Sequence, residues 1–233
     1  MNFIDFLIGP FLIWLPKIFT AAVFLTAVVL YVYRGKFGKD QKIKKFYNRI
    51  AISSALFKIV YAIFLMIAQY YVWSSSQFTK IFVSSSLKQI ISSIAGLKEN
   101  ICSTLLPAKV LVGNHGFFLF YSCGRFWIDV LISISAASIF YLFLVFLKKY
   151  RERFFETGEV ELGFVLALIA GWPNVTLFIP LAFVFVVLVS IFRRVFLKEF
   201  YTTLGWPFIL AASVVLLFGD KLINILRLGL LRI

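Results

Sequence analysis

The sequence predicts an all-α fold: a polytopic integral membrane helical bundle of about six spans, with an additional amphipathic helix. Three observations carry this expectation. Of 233 residues, 62% are hydrophobic and only 15% charged, and the mean hydropathy is +0.97. A soluble domain of this length is about half apolar and a quarter charged, so there is too little polar surface here to coat a globule in water. Apolar runs of about 20 residues, the length a helix needs to cross hydrocarbon, recur along the chain. The net charge of +14 gathers in short Lys/Arg clusters between those runs. Such clusters set membrane topology. They lack the groove-entering helix or aromatic platform of a nucleic-acid binder, so the expected environment is the lipid bilayer, with no nucleic-acid partner.

The first run covers roughly 4–33, with Pro10 and Pro16 breaking its entry and a main helix from Ile18 to Tyr33. No basic segment precedes it and no small-residue cleavage site follows, so it does not read as a secretory leader. Arg34 to Arg49 then carries seven Lys/Arg against one Asp, the strongest cytoplasmic signal in the chain. That signal places the amino terminus outside the cytoplasm. The second span, about 50–73, contains Lys58 and ends in an interfacial belt of Tyr70, Tyr71 and Trp73.

Residues 74–114 are punctuated by serine clusters, with Phe78, Ile81, Phe82, Leu87, Ile90, Ile91 and Ile94 at near-helical spacing. This suits an amphipathic helix lying on the membrane. If 77–97 and 104–122 each crossed, the count would be eight spans, and the charge bias would be unchanged. The low apolar density of 77–97 favours six.

A third run, Phe117 to Leu147, holds Arg125 and Asp129, which at i and i+4 can form an intramembrane ion pair on one helix face. After the basic stretch Lys148 to Arg153, Leu162 to Phe192 is free of charge for 31 residues and is broken at Gly171-Trp172-Pro173-Asn174. It therefore reads as a short span, a turn and a second span. Arg193, Arg194 and Lys198 follow. Phe200 to Gly219 makes the last span, closed by Asp220-Lys221. The chain divides near residue 115 into a two-span amino-terminal region with the Ser-rich extracytoplasmic segment (1–114) and a membrane domain (115–233).

One His, His115, and two cysteines, Cys102 and Cys123, exclude a Cys/His zinc centre and a disulfide framework. No metal or cofactor is expected, and the cysteines read as buried thiols. His115 has no serine in a recognisable nucleophile turn. Asn174-Val175-Thr176 is a formal glycosylation sequon that hugs a membrane turn.

Residues 151–226 resemble the carboxyl-terminal part of the type IV prepilin peptidases, aspartyl membrane proteases that trim leader peptides. Gly158-Glu159-Val160-Glu161-Leu162 falls where that family has G-D-x-K-L, and Gly171-Trp172-Pro173 falls at its G-W turn. Thr203-Leu204-Gly205-Trp206-Pro207-Phe208 stands near its P-F-G-P element, and Gly219-Asp220 at its final G-D. The likeness covers about a third of the chain well. The departures lie in the motif itself: Glu156 stands for the first Gly, Glu159 for the catalytic Asp and Glu161 for the Lys. The resemblance implies residence in a prokaryotic plasma membrane, and pilin-like or other single-span helices as clients.

The chemistry of such an enzyme needs two carboxylates that share a proton and activate one water. Glu159, at the mouth of an apolar span, is the first candidate. Asp129 and Asp220 are expected at the far face. Glu99 shares a face with Glu159 only in the eight-span arrangement. Glu156, Glu159 and Glu161 also read as plain complements to a helix dipole. Three functions are therefore expected in competition. The first is a catalytically silent relative that binds hydrophobic client helices. The second is an active aspartyl-type endopeptidase cleaving leaders at the cytoplasmic face. The third is a small transporter lined by Arg125 and Asp129.

Overall fold

The computed structural model describes residues 12–34, 40–75, 123–150, 155–198 and 203–227. Glu99, His115, Cys102 and nearly all of the Ser-rich segment lie outside the described residues. The described chain forms six α-helices with no strand among them: α1 Leu12–Val32, α2 Asp40–Ser75, α3 Ile128–Tyr150, α4 Glu159–Ala170, α5 Val175–Phe192 and α6 Gly205–Ile225. A π-helical turn, Cys123–Trp127, leads into α3, and another, Arg193–Leu197, follows α5. All of these helices except α4 are long and apolar enough to cross a membrane. The protein is a polytopic all-α membrane protein.

Several boundaries differ from the sequence reading, among them the start of α6, at Gly205 where the apolar run opens at Phe200. α1 begins ahead of Pro16. A proline this close to a helix start removes at most one intrahelical bond, because the first N–H groups have no partner in any case. α2 runs back through the basic cluster to Asp40, since Lys, Arg and Gln are good helix formers. α3 proper begins at Ile128, well inside the apolar run that opens at Phe117. α6 continues through Asp220 and Lys221 to Ile225. Charges there end the apolar surface without ending the helix.

The chain forms two compact units. The smaller, residues 58–130, contributes the far part of α2 and the π-helical turn. Within it Ala62 is buried, Arg125 is exposed and Asp129 is half-buried. The larger unit, residues 1–57 with 131–232, holds the main core. Its centre is α4, in which Leu162, Val165, Leu166, Ala167 and Leu168 are all buried. At 12 residues and 1.5 Å per residue, α4 is about 18 Å long, well short of the ~30 Å of hydrocarbon. It is an internal strut, apolar on every side because it is surrounded by other helices.

Around α4, Phe140 of α3 meets Phe178 of α5 and Phe208 of α6 edge-on, with ring centroids 5.7 and 6.0 Å apart. Such T-shaped pairs add to plain area burial. Gly163 lets α3 and α6 approach closely: a Cβ there would lie 2.7 Å from Leu144 and 3.1 Å from the Phe208 ring.

The expected break between α4 and α5 is present. Gly171, at φ 68°, ends α4 with its N–H on the Ala167 carbonyl, the positive-φ termination that glycine supplies without a Cβ penalty. Pro173 follows a cis peptide bond. Asn174 precedes α5, and the Thr176 hydroxyl donates to the Pro173 carbonyl at 2.7 Å. This turn lies beside Gly219, whose Cβ would meet Asn174 Oδ1 at 2.7 Å. The other end of α6, at Gly205, meets the start of α4. α4 and α6 therefore run parallel, and α5 returns against them.

Candidate functional site

The start of α4 is the one place in the described core where a carboxylate is fully buried. Gly158 precedes the helix in the left-handed region, at φ 87°. Ile43 and Tyr47 of α2 press against it, 3.0 and 3.2 Å from where a Cβ would be. This corner turns the chain so that Glu159, the first residue of α4, points into the bundle with 0% exposure. We expect Gly158→Ala to destabilise the protein by about 1–2 kcal/mol from the left-handed backbone alone, and by more from the Tyr47 contact. SDS-titrated unfolding followed by circular dichroism checks this, and an unchanged midpoint would contradict the packing described.

Donors surround the Glu159 carboxylate. Oε1 accepts from the Gly205 amide at 2.9 Å and from the Tyr31 hydroxyl at 3.3 Å, with Arg34 Nη1 at 3.5 Å. Oε2 accepts from the Glu156 amide at 3.0 Å and from the Leu204 amide at 3.2 Å. Leu204 and Gly205 stand at the first turn of α6, whose opening N–H groups have no intrahelical partner. Glu159 thus caps a neighbouring helix, where a carboxylate also complements the positive end of the dipole. Burial pushes the Glu159 carboxyl above its ordinary value, opposed by the Gly205 and Leu204 amides, the Arg34 charge and the Tyr31 hydroxyl.

Arg34 completes the arrangement just beyond α1. Its guanidinium pairs with Glu156 through Nη2, approaches Glu159 through Nη1, and stacks on the Tyr31 ring with 4.3 Å from Cζ to the centroid. Tyr31 is itself buried and packs edge-on to Trp206 at 5.8 Å. Gly205 is obligatory in this geometry, since a Cβ there would overlap the Tyr31 ring. Next to it, the Tyr47 hydroxyl donates to the Ala27 carbonyl at 3.3 Å, tying α2 to α1.

Two segments singled out in the sequence are therefore joined in space: Gly158-Glu159 and Thr203–Phe208. Gly171, Trp172 and Pro173 form the turn at the other end of α4. Glu161 lies in the first turn of α4, half-buried, with its Oε2 out of contact with solvent. Arg125 and Asp129 belong to the other unit. Glu99 is outside the described residues. Tyr31 and Arg34 were not among the expected site residues. Arg34 is one of seven basic residues in its cluster, and nothing in the local sequence distinguishes it. Among the described residues no group of His, Cys, Asp and Glu has the makings of a metal centre. No protein-family profile, curated protein or solved structure matches the chain.

Proposed function

We propose that this chain is a catalytically silent, prepilin-peptidase-like membrane scaffold, in which the acid at the motif position holds helices together. Its role on this reading is to engage other apolar helices, such as single-span clients, through a fixed frame. One observation supports the silent reading above the others: the Glu159 carboxylate is wholly buried and each of its oxygens accepts two hydrogen bonds from described residues. An acid that activates water needs a water beside it and a second carboxyl to share its proton. Here the neighbouring carboxylate, Glu156, binds the same guanidinium as Glu159. A cation bridges the two acids where a shared proton would be required.

Charge supports an orientation. The Glu159 end of the bundle carries Arg34, Lys42, Lys44, Lys45, Arg49, Lys148, Lys149, Arg193 and Arg194. By the excess of Lys and Arg in cytoplasmic loops, we place that end in the cytoplasm of a prokaryotic cell and the amino terminus outside.

Glu159→Asp tests the reading. Withdrawing the carboxylate by about 1 Å should pull it from the Leu204 and Gly205 amides and lower the melting temperature in micelles, with no cleavage of a leader-bearing single-span substrate in proteoliposomes. A variant that gained leader cleavage while keeping its melting temperature would overturn the silent assignment.

A further inference from the structure

The amino-terminal turns of α2 carry a second surface, on the side away from the site. Over residues 41–57 the helix has two faces. Ile43, Tyr47, Ala51 and Ser54 are buried, fixed against the α4 corner and α1. Lys42, Lys45, Phe46 and Arg49 are exposed. They recur at three- and four-residue steps, so they form one stripe. The same stripe continues as Ile52 and Leu56, which are 63% and 56% exposed and face hydrocarbon in a spanning helix. The change from Arg49 to Ile52 marks where the apolar layer ends. Lys42, Lys45 and Arg49 then lie over about 10 Å of helix immediately outside it, at headgroup depth. Phe46 stands among them, 43% exposed. No acid occurs between Gln41 and Phe57, so nothing on the stripe neutralises it.

We propose that this stripe docks anionic phospholipid headgroups, with Lys42, Lys45 and Arg49 contacting headgroup phosphates and Phe46 lying between the cations in the headgroup layer. The complementarity is of charge and of depth. Three cations spread over about 10 Å of helix cover the headgroup layer, and the apolar continuation below them accommodates the tails. Because the opposite face is locked to the core, the cations are presented on a rigid element. The inference is independent of the catalytic status of Glu159.

Native mass spectrometry of the detergent-purified full chain, titrated with phosphatidylglycerol and with phosphatidylcholine, provides the test. The wild-type chain should retain phosphatidylglycerol in preference. Each cation is worth about fivefold, so K42Q/K45Q/R49Q should lose on the order of a hundredfold in affinity for the anionic lipid, with K42Q, K45Q and R49Q each losing a graded part. A comparison variant with the same charge change at the same end, K148Q/K149Q/R194Q, should keep most of the preference. Millimolar inorganic phosphate should not displace the lipid. Undiminished preference in the triple α2 variant, an equal loss in the comparison variant, or displacement by inorganic phosphate would each overturn the assignment.

Discussion

Glu159→Ala is expected to destabilise the protein by about 3–5 kcal/mol, the range measured when one partner of a buried ion pair is removed. Its carboxylate accepts from three backbone amides and a hydroxyl, and faces Arg34. Removing it leaves buried donors without partners, each costing about 1–3 kcal/mol when fully desolvated. Arg34 is partly exposed and turns towards Glu156 and water, which keeps the total below the simple sum. Glu159→Gln is the sharper probe. Its carbonyl oxygen replaces one carboxylate oxygen, but its NH2 group must face either the Gly205 and Tyr31 donors or the Glu156 and Leu204 amides. We expect Gln to recover less than half of the loss. Full recovery would mean that charge and acceptor geometry are unimportant at this position. SDS-titrated unfolding in micelles reads both variants.

The second large effect is expected at Gly205. A methyl group there would overlap the Tyr31 ring, and Tyr31 is held by Glu159, Arg34 and Trp206. Relief requires the ring to move or α6 to retreat, and retreat breaks the Gly205 amide bond to Glu159. Overpacking of a filled core costs about 1–3 kcal/mol. With the hydrogen bonds lost alongside it, we expect Gly205→Ala to fall at the top of that range or beyond. The double variant Gly205→Ala/Tyr31→Leu separates the causes, because the smaller side chain vacates the space. Coupling of more than about 1 kcal/mol between the two substitutions would identify the ring as the obstacle. Strict additivity would refute it.

Much of the fold is legible in the chain because membrane helices must satisfy their own backbone groups. An uninterrupted apolar stretch of the right length is then already a helix. The bend between α4 and α5 is equally legible, since Gly171 and Pro173 interrupt a charge-free run that is too long for one helix. Helix ends are less so. Asp220 and Lys221 mark where α6 leaves an apolar environment, yet the helix persists to Ile225. The corner Gly158-Glu159 stands out in the sequence as a glycine beside an acid at the head of an apolar run. Its partners do not. Tyr31 and Glu159 are 128 positions apart, and their meeting depends on how α1 is rotated against α4. Helices that are apolar all round carry little sequence signal about rotation. Arg34 reads locally as one more topogenic cation, and only its placement against Glu156 and Glu159 gives it a specific role.

The reach of the Glu159 contacts also bears on biogenesis. The carboxylate joins a segment made early, near residue 31, to one made more than 170 residues later, at residues 204 and 205. While the ribosome is still extending the chain towards residue 203, the α4 head has Tyr31 and Arg34 at hand but lacks the amides of α6. Until those amides emerge, the acid is only half accommodated within the nascent bundle. Emergence of the start of α6 is therefore the step that seals this corner, and a chain arrested before it would present an unsatisfied glutamate to the translocon and to membrane quality-control proteases.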